Sequence, residues 1–316
     1  MALLVRATEL APGRADAWGL LALAYRQNVA APVDRDWVKA AAARALALDP
    51  DNADAQVALA LNRRFFGNWL VIERDIRRLL ERFPDHWQLG ESLGWLMMAV
   101  GRFAEAERSY AAVIARDPML PASRMEQALA LWGKGQVIAA DAALTSAAAL
   151  WPGHPWLLPQ RLLFEALTGR PAEAIAHLEA AQRGSYSTPA VPLDLARQCA
   201  LALRDGRPGD IAGIAAAQLA QGAATTALAE HAALFLSATG RLDDAFQWLT
   251  RHYGLAGGAA TRPGPAAGAS DVRWTHFLFL PPARPLRPDP RFPALMSAIG
   301  LAEYWRRSGS RPDVDG

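Results

Sequence analysis

The chain has 316 residues, 33 basic against 31 acidic side chains for a formal charge of +2, and 52% hydrophobic residues. So balanced a charge gives no electrostatic case for nucleic acid or an acidic membrane surface. No stretch reaches the ~18 uncharged apolar residues that a membrane span needs. The single cysteine, Cys199, has no second thiol to pair with, and MALLVRATEL is not read as a signal peptide because Glu9 follows its short apolar run. A cytoplasmic protein is expected.

In chain order, residues 1–14 read as the second helix of a helix pair that lacks its first. Ala7 and Pro12 stand in the same relation as Ala45 and Pro50. This half-unit is expected to be either a lone capping helix or the remnant of something upstream. Ala15 to Pro50 is a full pair, with extra residues at Asn28–Asp34 that should protrude. Asn52 to Pro84 turns at Gly67-Asn68-Trp69. Asp85 to Pro118 is the clearest unit: Leu93, Leu96 and Met97 stripe its first helix, and Phe103, Ala106, Tyr110 and Val113 its second. Met119 to Pro152 turns at Gly135, and Gly153 to about Ser187 at Gly169-Arg170-Pro171. An insert, SYSTPAVP (Ser185–Pro192), breaks the register. A degenerate pair follows from Leu193 with its turn at Gly206-Arg207-Pro208, then a last one from about Thr226 with Gly240-Arg241.

The punctuation has one period. Proline recurs at Pro50, Pro84, Pro118 and Pro152, and glycine at Gly67, Gly101, Gly135 and Gly169, each step being 34 residues. Proline stops each second helix, because it cannot continue one and biases the residue before it away from helical angles. A helix–turn–helix at this stride resembles the tetratricopeptide repeat. Trp18, Leu21, Ala22 and Tyr25 match that family's W-x2-L-G-x2-Y with alanine for glycine, and ALALDP (Ala45–Pro50) is close to its ending. The resemblance implies an all-α, right-handed helical solenoid of about six or seven repeats with a C-terminal helical cap. The expected division is a solenoid over 1–253, a Gly/Ala/Pro linker over 254–272 and a capping segment over 273–316. Small residues recur where helices would cross: Gly94, Ala22, Ala60, Ala128 and Ala233 at one repeat position, Ala106, Ala140, Ala174 and Ala245 at another. A bulky side chain there would overpack at a cost of about 1–3 kcal/mol.

The tail differs from the array. Asp289-Pro290-Arg291-Phe292 opens a short helix that Gly300 closes, and Leu301–Arg307 is a second amphipathic piece. Arg287, Leu295, Tyr304-Trp305, Gly309 and Pro312-Asp313 complete a pattern that resembles the ending of some bacterial segments of the same repeat type. Those often follow a winged-helix DNA-binding domain or a cyclase-type catalytic domain. The DNA-binding part would be expected before Met1, and nothing in 1–316 resembles it, so no direct nucleic-acid contact is expected.

Motifs that carry chemistry are not found. No two of the six histidines make an H-x3-H or HExxH pair, and there is no CxxC, so no metal site is expected. There is no GxxxxGK[ST] and no GxSxG; Gly133-Lys134-Gly135 is a repeat turn. Asp243-Asp244, Glu105 and Glu173 sit on early turns of second helices, where they favour the helix dipole. Catalytic residues and cofactors are therefore both expected to be none.

In this repeat family the first helices line a concave groove. The resemblance places Leu61, Arg64 and Phe65, then Glu91, Trp95 and Met98, then Met125, Leu129 and Trp132, and finally Trp156, along it. The lining is apolar, lacks the Lys/Asn/Arg set that grips a peptide carboxylate, and suits an amphipathic helix or apolar segment of a partner. Covering by the chain's own tail or by a second copy of the chain is the competing expectation. The reading is a non-catalytic interaction scaffold. Its alternatives are the sensory or oligomerising half of a winged-helix or cyclase-type signalling protein, and an enzyme framed on a solenoid. The last would need converging ionisable groups.

Overall fold

The computed structural model describes residues 1–26, 35–183, 190–220, 226–255 and 273–314. The loop expected at Asn28–Asp34, much of the Ser185–Pro192 insert and nearly all of the 254–272 linker lie outside these residues. The chain forms two compact units, residues 1–96 and 97–316.

The first unit holds α1 (Ala2–Leu10), α2 (Ala15–Arg26), α3 (Arg35–Leu48), α4 (Ala53–Leu61), α5 (Trp69–Arg82) and most of α6 (Trp87–Ala99). Each helix packs on the next through α5, and α2 also packs on α4, one repeat away. In α5, Trp69, Ile72, Ile76 and Leu79 recur at three- and four-residue steps, and all four are buried. That spacing puts them on one helical face. Asn52 caps α4, its Oδ1 accepting from the Ala55 N–H at 2.9 Å.

Helix α4 stops at Leu61, short of the glycine turn. The carbonyls at its end are taken by side chains from earlier helices: Arg26 Nε donates to Leu61 O at 3.1 Å, and the Arg35 guanidinium donates to Asn62 O. Asn62 Nδ2 in return donates to Arg35 O at 2.9 Å. Orphan carbonyls at a helix end need such partners, and these arrive from the side instead of from a further turn.

The second unit continues with α7 (Phe103–Arg116), α8 (Pro121–Gly133), α9 (Val137–Leu150), α10 (Leu157–Leu167), α11 (Pro171–Arg183), α12 (Ala190–Arg204), α13 (Ile211–Ala220), α14 (Thr226–Ala238) and α15 (Leu242–Tyr253). First helices again meet across one repeat, α10 with α12 and α12 with α14. The small positions do what the pattern requires: Ala106, Ala140, Ala174 and Ala245 have no exposed surface, and Ala128 and Ala233 only 1%. Helix α12 begins at Ala190, so the last residues of the insert are helical; Pro192 falls in the first turn, where its missing N–H costs nothing.

The glycine bends share a left-handed backbone, but those at Gly101, Gly135, Gly169, Gly206 and Gly240 close a helix end, whereas Gly67 lies six residues past α4 and the Asn68 N–H after it goes to Phe65 O at 3.0 Å. Gly67, Gly101, Gly135 and Gly169 have φ of 79°, 81°, 76° and 82°, and Gly206 and Gly240 have 69° and 77°. Only glycine adopts this left-handed conformation without strain. After it, Arg102, Gln136, Arg170, Arg207 and Arg241 each donate a backbone N–H to the carbonyl five residues earlier, at 2.7–2.9 Å. This closes the helix end as a Schellman motif. The 34-residue stride also returns between Gly206 and Gly240, beyond the insert.

The C-terminal segment re-enters the second unit. It runs through two 3-10 turns, His276–Phe279 and Pro281–Leu286, then α16 (Arg291–Ala298) and α17 (Leu301–Ser308). The second 3-10 turn packs on α14. The far end reaches the α6–α7 turn, more than 200 residues earlier in sequence. There Trp305 Nε1 donates to Val100 O at 2.9 Å, Arg102 donates to the Tyr304 hydroxyl at 3.1 Å, and the Asp313 N–H donates to Gly101 O at 2.9 Å. The Asp313 carboxylate then accepts from the Phe103 and Ala104 N–H groups, each at 2.7 Å. It thus occupies the N-terminus of α7, whose own flanking residue, Arg102, offers no side-chain cap.

Candidate functional site

The groove residues separate by accessibility. In the first unit Leu61 is buried, Arg64 is exposed, and Phe65, Glu91 and Trp95 are half-buried. Arg64 and Phe65 lie past the end of α4, where the 34-residue register had placed them on the helix. The cause is the early stop at Asn62 described above. His86 Nε2 meets Asp54 Oδ1 at 3.0 Å and so ties the start of α6 to that of α4. Arg26 lies close enough to Glu91 and Arg35 to feel both charges. Burial, then Arg35, pulls its guanidinium down to about 10, and Glu91 opposes this.

In the second unit Met98, Met125, Leu129 and Trp132 are all buried. Trp132 stands edge-on to Phe164 of α10, ring centroids 5.2 Å apart, and packs between first helices. Trp132 is 2% exposed, so its ring offers a partner almost no surface. Trp156 precedes α10 and is 47% exposed.

The C-terminal segment covers a different part of this unit. Thr275 Oγ1 donates to Ala99 O at 2.6 Å, Tyr253 Oη to Trp274 O at 2.7 Å, and Arg273 to Tyr253 O at 3.0 Å. Phe277 and Phe279 are 1% and 2% exposed. Beside the segment, an open cleft of about 880 Å³ is lined by Leu167, Ala238, Pro281, Pro282, Arg284 and Pro285.

The second unit also holds ionisable groups that act on one another over separations that spacing in the sequence does not reveal. They are Glu126 of α8, Glu230 and His231 of α14, His252 and Tyr253 of α15, and His276 of the segment, from positions as much as 150 residues apart. Glu230, His231 and His276 are each less than 10% exposed. Burial, with the neighbouring Glu126 charge, raises the Glu230 carboxyl well above the usual range. Burial lowers His231 and His252 to about 4; for His252 the Arg273 charge adds to this, and a hydrogen bond to the Trp274 backbone opposes it. His276 falls to about 3 through burial and then the facing His231. Among the described residues, Glu230 Oε1, His231 Nδ1 and His252 Nε2 find no hydrogen-bond partner.

Glu165 shows the contrast. It too has no exposed surface, but it accepts from Arg161 Nε at 2.7 Å and lies 2.9 Å from His177 Nδ1. Cys199 is fully buried, and burial pushes its thiol up to about 12, which removes it as a nucleophile at ordinary pH. Among the described residues no group of histidine, cysteine and carboxylate side chains could hold a metal ion, and no helix is long and apolar enough to cross a membrane.

A constant stride, recurring left-handed bends and first helices packed across one repeat define a helical-repeat protein with the architecture of tetratricopeptide repeats. No protein-family model matches the sequence, and no curated protein does. Among solved structures the chain is similar to a tetratricopeptide repeat protein from Parabacteroides merdae, at 17% identity over 78% of this chain and 88% of that one, with a TM-score of 0.46. It is similar to pilF of Pseudomonas aeruginosa, at 16% identity over 78% and 93%, TM-score 0.41. It is also similar to yeast Tom70, at 10% identity over 81% of this chain and 54% of that one, TM-score 0.47.

Proposed function

We propose that the protein is a non-catalytic, cytoplasmic interaction scaffold whose first-helix faces bind an apolar or amphipathic segment of a protein partner. One observation carries the reading: in the second unit the chain's own C-terminal segment is already held against first-helix surface. It buries Phe277 and Phe279 and adds a few hydrogen bonds to helix-end carbonyls. Aromatic anchors in pockets with sparse polar contacts around them are how such surfaces take a foreign segment. The division into an array over 1–253, a linker over 254–272 and a cap over 273–316 belongs to the same proposal.

The accessible partner surface is assigned to the first unit, where Phe65 and Trp95 offer apolar area and Arg64 and Glu91 offer charge at its edge. Met98, Met125, Leu129 and Trp132 form the apolar lining of the second unit, with Trp156 exposed at its margin. The test compares Trp95→Ala with Trp37→Ala, the latter removing a 59% exposed tryptophan from the second helix α3. A partner captured by the intact chain is purified and titrated against both variants. Trp95→Ala should weaken binding tenfold or more, as the loss of an aromatic anchor worth about 2 kcal/mol does, and Trp37→Ala should not. Equal affinities for the two variants sink the assignment.

A further inference from the structure

We propose that the open cleft beside the C-terminal segment binds a small, ring-bearing organic carboxylate, held between rigid proline rings and the guanidinium of Arg284. The site lies wholly in the second unit and does not depend on the partner surface assigned to the first.

Its proline-lined side is already in place. Pro281–Leu286 runs as a 3-10 turn packed on α14, with Pro282, Ala283 and Leu286 buried. Each proline fixes its own φ and carries no N–H that would need a partner. Arg287 ties the turn together: its Nη2 donates to Phe279 O at 2.6 Å, and its backbone N–H to Arg284 O at 3.1 Å. Leu167 and Ala238, the last residues of α10 and α14, complete the apolar lining. A lining that is ordered beforehand spares a ligand most of the cost of fixing it. The volume, about 880 Å³, falls within the ~300–1,000 Å³ of small-molecule sites. A partner helix, about 10 Å across and several turns long, needs a longer groove. Proline rings pack well on aromatic ones, as proline-rich recognition shows, so the ligand carries a ring.

The sign of the charge selects the rest. Arg284 and Arg287 line the cleft, and among the described residues no carboxylate does. Asp289, the next acidic residue of the segment, is held by Arg291 at 2.8 Å. Helices α10 and α14 both end here, and a helix C-terminus repels an anion. Their last carbonyls are nonetheless taken. Thr168 Oγ1 donates to Phe164 O at 2.7 Å and Thr239 Oγ1 to Phe235 O at 2.8 Å, and the Arg170 and Arg241 N–H groups close the two ends at 2.9 Å. Two full positive charges against two partial negative ones leave the cleft positive. Arg287 is held by backbone carbonyls, so the exposed Arg284 is the group that turns onto the ligand. A guanidinium grips a carboxylate through two parallel N–H bonds. At an exposed position it exchanges one contact for another at little cost.

The test titrates 3-phenylpropanoate and its neutral counterpart 3-phenylpropanamide into the full chain, followed by ligand-observed NMR. The acid should saturate one site and bind about fivefold tighter than the amide. Arg284→Gln should erase that preference, and Arg284→Lys should keep most of it. Ala238→Trp, which sets an indole in the cleft, should abolish binding of both. Far-UV circular dichroism checks that each variant stays helical, and the acid–amide comparison on the unaltered chain stands whatever the variants do. No saturation by about 10 mM acid, a range that reaches the weakest useful affinities, overturns the proposal. So does equal affinity for acid and amide, or binding that survives Ala238→Trp. The tripeptide Gly-Gly-Phe, with its free carboxylate, should compete only weakly. Tighter binding of the tripeptide than of the acid would assign the cleft to peptide ends and overturn the small-molecule reading.

Discussion

Gly101 and Gly135 occupy the same repeat position with nearly the same backbone, φ 81° and 76°, yet their surroundings differ. A Cβ at Gly135 would meet nothing within 4 Å, whereas one at Gly101 would lie 2.9 Å from Pro312 Cβ and 3.1 Å from Phe279 Cδ1. Gly135→Ala therefore carries only the cost of a left-handed alanine, about 1–2 kcal/mol. Gly101→Ala carries that and an overpacking cost of about 1–3 kcal/mol against the docked segment. Both residues belong to the second unit, so the comparison is internal. At roughly 2–4 °C per kcal/mol for a unit of this size, Gly101→Ala should melt at least about 2 °C below Gly135→Ala. Pro312→Gly in the Gly101→Ala background should recover part of the gap by vacating the nearer contact. Thermal unfolding followed by circular dichroism measures all three. Equal losses for the two alanines would show that the segment does not rest on Gly101, and the docking geometry would then be wrong.

Asp313→Ala removes the acceptor of two helix-end N–H groups and should loosen the segment by about 1–2 kcal/mol, roughly 5–30-fold in docking; Asp313→Asn, which keeps one acceptor, should lose about half as much. Exchange of the Phe103 and Ala104 amides reads the effect, and unchanged protection in the alanine variant would contradict it. Cys199 should resist iodoacetamide at pH 8 in the native protein and react fully in guanidinium, since burial holds its thiol near 12. Stoichiometric labelling of the folded chain on the same timescale would disprove that.

The repeat was legible because its signals are local. Proline at the end of a second helix and glycine at a left-handed bend are backbone requirements, satisfied or violated within a few residues whatever lies nearby. That is why the bends at Gly206 and Gly240 were also readable across an insert that shifts the register. The short helices α16 and α17 were readable for the same reason, with Gly300 and Gly309 at φ 86° and 67° closing them. The groove was less so. A register carried by analogy placed Arg64 and Phe65 on α4, but side chains from α2 and α3 take the carbonyls at that helix end and stop it early. By its place in the repeat Trp132 suits a partner, the chain's own tail or a second copy, but in the fold it is buried and stands edge-on to Phe164.

The sequence by itself determined a chain of paired helices at a fixed stride, because each bend and each small crossing residue answers to its immediate neighbours. Tertiary structure alone decided what the C-terminal segment covers and which ionisable groups act on one another. His276 feels His231, and Asp313 meets the start of α7, only because the chain returns on itself. Such long-range contacts leave no period in the sequence to read: they depend on where the stacked helices carry each residue in space.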